Sequence, residues 1–372
     1  MKIIICPDSF KGCLTASEVA ETIEDCISSE ISQYQKLNSK IDLQGEIKFA
    51  NLDCKNLKIL KIPLADGGEG TAQILKTKHF PIERNIQAHD PLGRLINTKY
   101  YGDSTGTKAF IESAEIIGLP LLSPKERNPL ITTSYGLGEV INKAIQEGYT
   151  EISIALGGSA TCDAGKGMIE ALEGIDVSAI NFKIICDVKN PLLGEEGTVR
   201  IFGPQKGAKT SDIPLLDKRI EDFVNYSQRK FGINKNNCSK EGSGAAGGLG
   251  FAFQSILRAE TIFGIDYIMK ETDFDKEIED AALIITGEGK VDSQSLMGKV
   301  LAGVLKRANK RNIPVIVFGG IIEDKKNILD AGVKEIYEIS DKNLTLEENM
   351  NKENTKKNIR VTIKRMIERL SL

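Results

Sequence analysis

Five short apolar runs in this chain each stop at an acidic residue set among glycines, serines or lysines, a pattern that few folds accommodate. Ile3–Cys6 ends in Pro7-Asp8-Ser9-Phe10-Lys11-Gly12, and Ile59–Ala65 ends in Asp66-Gly67-Gly68-Glu69-Gly70. Ile152–Leu156 ends in Gly157-Gly158-Ser159-Ala160-Thr161-Cys162-Asp163, Lys183–Cys186 in Asp187-Val188-Lys189, and Leu283–Thr286 in Gly287-Glu288-Gly289-Lys290-Val291-Asp292. Helical patterns alternate with these runs. Thr15 and Glu18 form a capping box before a helix whose face carries Val19, Ile23 and Ile27. After residue 282 the alternation is plain: ALIITGEG, the helical LMGKVLAGVLKRANKR, PVIVFGG, the helical KNILDAG, EIYEIS, and a closing helix in VTIKRMIERL. Strands alternating with helices predict an α/β fold with a mainly parallel sheet covered on both faces.

Residues 80–112 read differently. IERNIQAHD, PLGRLINTKYYG and TKAFIES are short alternating segments split by turn residues, which predicts antiparallel hairpins. A chain of 372 residues exceeds what one hydrophobic core usually serves. We expect residues 1–76 and 284–372 to form one discontinuous parallel α/β domain, with 77–283 as an inserted mixed α/β domain containing some antiparallel sheet. The polar stretch Ser28–Lys58 carries no clear periodicity.

Charge and cysteine usage narrow the function classes. The formal net charge is −3, so nothing draws the chain generally to nucleic acid or to an anionic membrane. No apolar run approaches the length of a membrane helix. The seven cysteines are scattered without a CxxC pair, as expected of reduced thiols in a cytoplasmic protein. The two histidines, His79 and His89, lie near no cysteine pair and poorly supply a zinc site or a Ser-His-Asp triad.

In open parallel sheets, ligands bind where strands end and helices begin. A single acidic turn is usually a helix cap or a solvated carboxylate. Five together supply the parts of phosphoryl transfer, whose catalysis is mostly positioning and charge stabilisation. Glycines let backbone N–H groups face phosphates, carboxylates hold Mg²⁺, and lysines neutralise charge. Asp8, Ser9, Lys11, Asp66, Gly67, Gly68, Glu69, Gly157, Gly158, Ser159, Thr161, Asp163 and Asp187 are the candidates for substrate and phosphate contact. Lys206, in Gly203-Pro-Gln-Lys-Gly207, is a candidate anion clamp or else a surface lysine on a turn. Gly242-Ser-Gly-Ala-Ala-Gly247 matches GxGxxG but follows a polar loop instead of a strand. A close-packed helix start or a second phosphate loop suits it better than a dinucleotide site. Gly165-Lys166 resembles the end of a Walker A motif, but Ala160 and Gly167 break the pattern.

Nine segments in order, PDSFKGCLTASEVA, PLADGGEGT, DPLGRLINTKYYG, ERNPLITTSYGLGE, LGGSATCDAGKGM, CDVKNPLLG, FGPQKGA, GSGAAGGLGFAF and ITGEGKVDSQSLMGK, closely resemble the bacterial glycerate kinase family. The resemblance runs from residue 1 to about Ser340. It implies two α/β domains, one Rossmann-like, with the active site in the cleft between them. It also implies D-glycerate as substrate, ATP and Mg²⁺, and 2-phosphoglycerate as product, with 3-phosphoglycerate the alternative. On this resemblance Asp8, Asp66, Asp187 and Lys206 are the catalytic candidates. Gly287, Glu288, Gly289 and Asp292 fall to the nucleotide and metal side, and Mg²⁺ ligands are expected among Asp66, Asp187, Glu288 and Asp292. A homodimer is left open. Cys13, Cys162 and Ala164 stand where members commonly have Ser, Asn and Gly. A kinase-like ligand sensor, suggested by that altered 162–164 loop, and an NAD(P)-dependent oxidoreductase resting on GSGAAGG are the rival readings.

Overall fold

In the computed structural model, residues 1–10, 12–38, 57–65, 67, 71–76 and 79–370 are described. The chain divides into two compact units, Met1–Asp66 with Ile268–Leu372, and Gly67–Tyr267. The sequence reading drew its lines at 76 and 284. In the structure the helix Thr71–Leu75 falls in the second unit and Phe274–Glu277 in the first.

The first unit is built on a wholly parallel sheet, β11-β10-β9-β1-β2. Its strands are β1 (Lys2–Ile5), β2 (Lys58–Lys61), β9 (Ala281–Val291), β10 (Val315–Ile322) and β11 (Glu335–Glu338). The interior strand β1 is buried along its whole length, as a strand covered on both faces must be. Ile3, Ile5, Ile285, Ile316 and Phe318 pack there against Val19, Ile23 and Ile27 of the helix Ala16–Asn38 and Ile359, Ile363 and Ile367 of the helix Lys352–Leu370. The capping box forms: Thr15 N donates to Glu18 Oε2 at 2.8 Å and Glu18 N to Thr15 Oγ1 at 3.2 Å. The helix continues past Ile27 into the stretch that had no readable period. Residues 39–56 of that stretch lie outside the described residues.

One boundary needs correction. The apolar run ends at Thr286, within the segment ALIITGEG, but residues 287–291 are all strand: β9 continues to Val291 because β10 pairs with it as far as Val291↔Ile322. Gly287 suits that strand because a Cβ there would lie 2.3 Å from the Phe318 carbonyl oxygen.

The second unit carries a mixed sheet in the order β3-β4-β5-β6-β7-β8. β3 (Ile82–His89), β4 (Leu95–Gly102) and β5 (Lys108–Glu112) are antiparallel neighbours, as the alternating pattern of 80–112 predicts. The first hairpin closes on Asp90, whose buried carboxylate accepts from Leu92 N, Arg94 N and Arg94 Nε. β5, β6 (Glu151–Ala155), β7 (Asn181–Ile185) and β8 (Glu260–Ile262) then run parallel. Among the described residues no helix is long and apolar enough to cross a membrane.

Candidate active site

In the second unit, the turn after β6 is fixed from three sides. Ser159 bridges Gly118, and Ala160 N donates to Ile117 O at 2.8 Å. The helix Thr198–Phe202 runs into a tight turn, Pro204–Lys206, ended by Gly207 at φ 95°. A side chain at Gly207 would strike the Arg127 carbonyl oxygen at 2.1 Å, so glycine lets the turn close and aim Lys206 inward. Lys206 is therefore no surface lysine: it is 3% exposed, and Nζ donates to Ser159 Oγ at 2.9 Å and to Thr161 O at 2.8 Å. Burial holds its amine below the usual lysine value. Two buried polar atoms close by in sequence or space, Thr161 Oγ1 and Arg127 Nε, have no hydrogen-bond partner among the described residues.

Asp163 holds the far end of the same loop. Its carboxylate accepts from Ser134 N and Ser134 Oγ at 2.8 Å each, from Gly165 N at 3.1 Å and from Gly167 N at 3.2 Å. Ala164 N donates to Gly247 O at 3.0 Å, which ties in the glycine-rich stretch. Gly247 has φ 72°, and a Cβ there would lie 1.7 Å from Thr161 O; one at Gly244 would lie 2.2 Å from Pro191 O. These glycines of GSGAAGG face other backbone, as a close-packed helix start requires.

At the end of β7, Asp187 is exposed and accepts from Gly264 N at 2.7 Å. A Cβ on Gly67 would lie 2.8 Å from Gly264 Cα and 2.6 Å from Ile185 Cγ2, so Gly67 lies against this strand end. Asp66, Gly68, Glu69 and Lys11 lie outside the described residues.

In the first unit, Asp8, Ser9, Glu288 and Gly289 line one cavity of about 290 Å³ at the carboxyl ends of the parallel strands. β1 and β9 flank the point where the strand order reverses, the usual ligand position in such sheets. Asp8 is buried, its N donating to Gly287 O at 2.8 Å and its Oδ1 accepting from Ser9 N at 2.6 Å. Lys290 and Lys299 line the same cavity. Asp292, by contrast, caps the turn Ser293–Leu296, with Oδ1 accepting from Gln294 N and Ser295 N. Among the described residues no group of three or more His, Cys, Asp or Glu side chains gathers in metal-binding geometry. Sequence reasoning missed the apolar part of this cavity, Ile321, Leu346 and Met350. Exposed apolar residues in separate segments leave no periodic signal.

The fold, taken with the comparisons, is that of an α/β small-molecule kinase. Comparison supplies the family. The model described as the glycerate kinase family matches residues 3–178 and 173–371, and the chain belongs to that family. It is 37% identical to the glycerate kinase of Bacillus subtilis, covering 91% of this chain and 90% of that protein. It is 34% identical to the glycerate 2-kinase of Escherichia coli, covering 94% and 93%. A crystal structure of a putative glycerate kinase 2 from Salmonella typhimurium LT2 superimposes with a TM-score of 0.80 at 32% identity, covering 100% of this chain and 98% of that one.

Proposed function

We propose that this chain phosphorylates D-glycerate with ATP and Mg²⁺, giving 2-phosphoglycerate. The observation that carries the reading is a cavity in the first unit that joins Asp8 and Ser9 of one strand end to Glu288, Gly289 and Lys290 of its neighbour. That combination suits a nucleoside phosphate. Mg²⁺ commonly keeps its waters and its nucleotide oxygens and needs only one or two protein carboxylates. Asp8 and Glu288 fit that requirement and would hold it; Asp292, engaged as a cap, suits it less. The metal, when bound, offsets the charge on the transferring phosphate. Lys290 and Lys299 add positive charge for the phosphates. Asp187, exposed at its strand end, is our candidate for orienting the glycerate hydroxyl and accepting its proton. Lys206 and Asp163 position the Gly157–Gly158 turn, whose backbone N–H groups would receive the substrate's anionic groups.

The rival readings draw no support from the structure. Cys162 and Ala164 are buried in one core cluster with Leu192 and Val199, so the altered loop positions are packing positions. Gly244 and Gly247 of GSGAAGG are closed against protein backbone. The test is direct: folded protein is given D-glycerate and Mg-ATP, ADP release is followed, and the product is identified by NMR. Glycerate-dependent ADP release that stops on chelation is expected. Its absence removes the kinase reading, and 3-phosphoglycerate as product removes the regiochemical one.

A further inference from the structure

The cavity of the first unit changes character along the sheet edge. At β1 and β9 it is lined by Asp8, Ser9, Glu288, Lys290 and Lys299; at β10 and beyond β11 it is lined by Ile321, Ile339, Leu346 and Met350. Three of these apolar side chains stand open to solvent, Leu346 at 62%, Met350 at 42% and Ile321 at 37% exposed. Large apolar groups so exposed around one concavity mark a ligand surface. Lys299 pairs with no carboxylate among the described residues, whereas Lys290 is 3.0 Å from Glu323. An apolar slot adjoining lysines complements a flat uncharged ring that carries a polyanionic tail. About 290 Å³ suffices for a base and its sugar, with the phosphates directed to the β1 and β9 ends.

Three of the polar side chains that line this end of the cavity, Asn349, Ser340 and Thr355, are engaged elsewhere. Asn349 Nδ2 donates to the carbonyls of Asp341, Leu344 and Thr345, and Oδ1 accepts from Asp341 N and from Asn358 Nδ2. Ser340 Oγ donates to Gly320 O, and Thr355 Oγ1 donates to the backbone of its own segment at Asn349 O and Asn351 O. These groups hold the 340–355 segment over the strand ends. What faces a base from the β10–β11 side is mainly hydrocarbon. A hydrophobic pocket does not strongly reject a molecule of the same shape with different polar groups, while a site built to hydrogen-bond a substrate does so by orders of magnitude.

We infer that this cavity is the nucleoside subsite and selects its phosphoryl donor by ring shape, so that purine nucleoside triphosphates serve almost interchangeably. The inference rests on the kinase reading for its turnover readout but not for its binding readout. Initial rates with D-glycerate are measured for Mg-ATP, Mg-GTP and Mg-ITP, and ADP and GDP binding is measured by calorimetry. The expected result is kcat/KM values within about tenfold of one another and Kd values likewise, since apolar contacts alone discriminate weakly. Leu346→Ala and Met350→Ala should raise KM for ATP and GTP by the same factor and leave KM for glycerate unchanged. A preference of about 100-fold or more for ATP overturns shape selection and leaves the kinase intact. Unchanged nucleotide KM in both variants overturns the location. Equal ADP and GDP binding without turnover upholds the inference while the kinase reading fails, and binding of neither overturns both.

Discussion

Lys206 Nζ donates to the carbonyl oxygen of Thr161 at 2.8 Å, across 45 residues of chain, in a position only 3% exposed. A buried ammonium is costly unless hydrogen bonds compensate it, and both acceptors of this one belong to a single loop. Here the loop is the Gly157–Asp163 turn, and the same amine also fixes Ser159 Oγ. Lys206→Met keeps the apolar stem and removes the donor. Leaving Thr161 O and Ser159 Oγ without it costs about 1–3 kcal/mol, offset in part by relief from a buried charge. A turn displaced by ~1 Å should lower kcat/KM by about 10²-fold. Melting curves and glycerate kinetics check both, and wild-type kcat/KM in a folded variant removes Lys206 from the mechanism.

The same residue gives a pH signature. Its native amine titrates below the ordinary value of 10.5, so the unfolded chain binds this proton more tightly than the native one. Stability from this group therefore rises as pH rises towards 10.5 and falls as pH drops through the lowered native value. Lys206→Met should flatten the stability–pH curve in that alkaline range relative to the parent. Urea unfolding at several alkaline pH values measures it, and parallel curves would contradict the shift.

Gly247 and Gly93 share a left-handed backbone but differ in surroundings. A Cβ at Gly247 (φ 72°) meets Thr161 O at 1.7 Å, while one at Gly93 (φ 79°) meets nothing within 4 Å. Gly93→Ala should cost roughly 1–2 kcal/mol, the left-handed penalty alone. Gly247→Ala adds overpacking of about 1–3 kcal/mol. Chemical denaturation of the pair tests the difference, and equal losses would mean that the 161–164 loop yields freely.

The carboxylates should separate by burial. Asp187 is exposed, so Asp187→Asn should melt like the parent, with kcat lowered about 10²-fold if it is the base. Asp8 is buried and accepts from Ser9 N, so Asp8→Asn should lose both stability and activity. Asp66→Asn completes the set. Parental kcat in all three moves the search to Glu69 and Glu288.

Thiol reactivity offers an independent probe of the cavity. Cys13 lines it and is half-buried, with Sγ 2.9 Å from Thr355 Oγ1. Cys6, Cys162, Cys186 and Cys238 are buried, and burial pushes the Cys186 thiol up to about 11. Native alkylation mapped by mass spectrometry should label Cys13 ahead of those four, and Mg-ATP should protect it. Labelling of Cys13 unaffected by saturating nucleotide would place the nucleotide elsewhere.

Local sequence determined a good deal of this protein. The apolar run Ile3–Cys6, which forms β1 one residue earlier at Lys2–Ile5, the Thr15–Glu18 capping box and the alternation of 80–112 each carry their own period or cap. Such signals need only neighbours a few residues away. Tertiary structure decided the rest. Residues 287–291 are strand because β10 lies alongside to accept their hydrogen bonds. Lys206 is buried because Gly207 can pack on Arg127, 80 residues earlier. Asp163 became a four-fold acceptor because the helix Tyr135–Gln146 begins beside it. The apolar half of the first unit's cavity draws Ile321 and Met350 from segments with no shared pattern. Which distant groups meet depends on how whole strands and helices pack, and no local period in the chain encodes that.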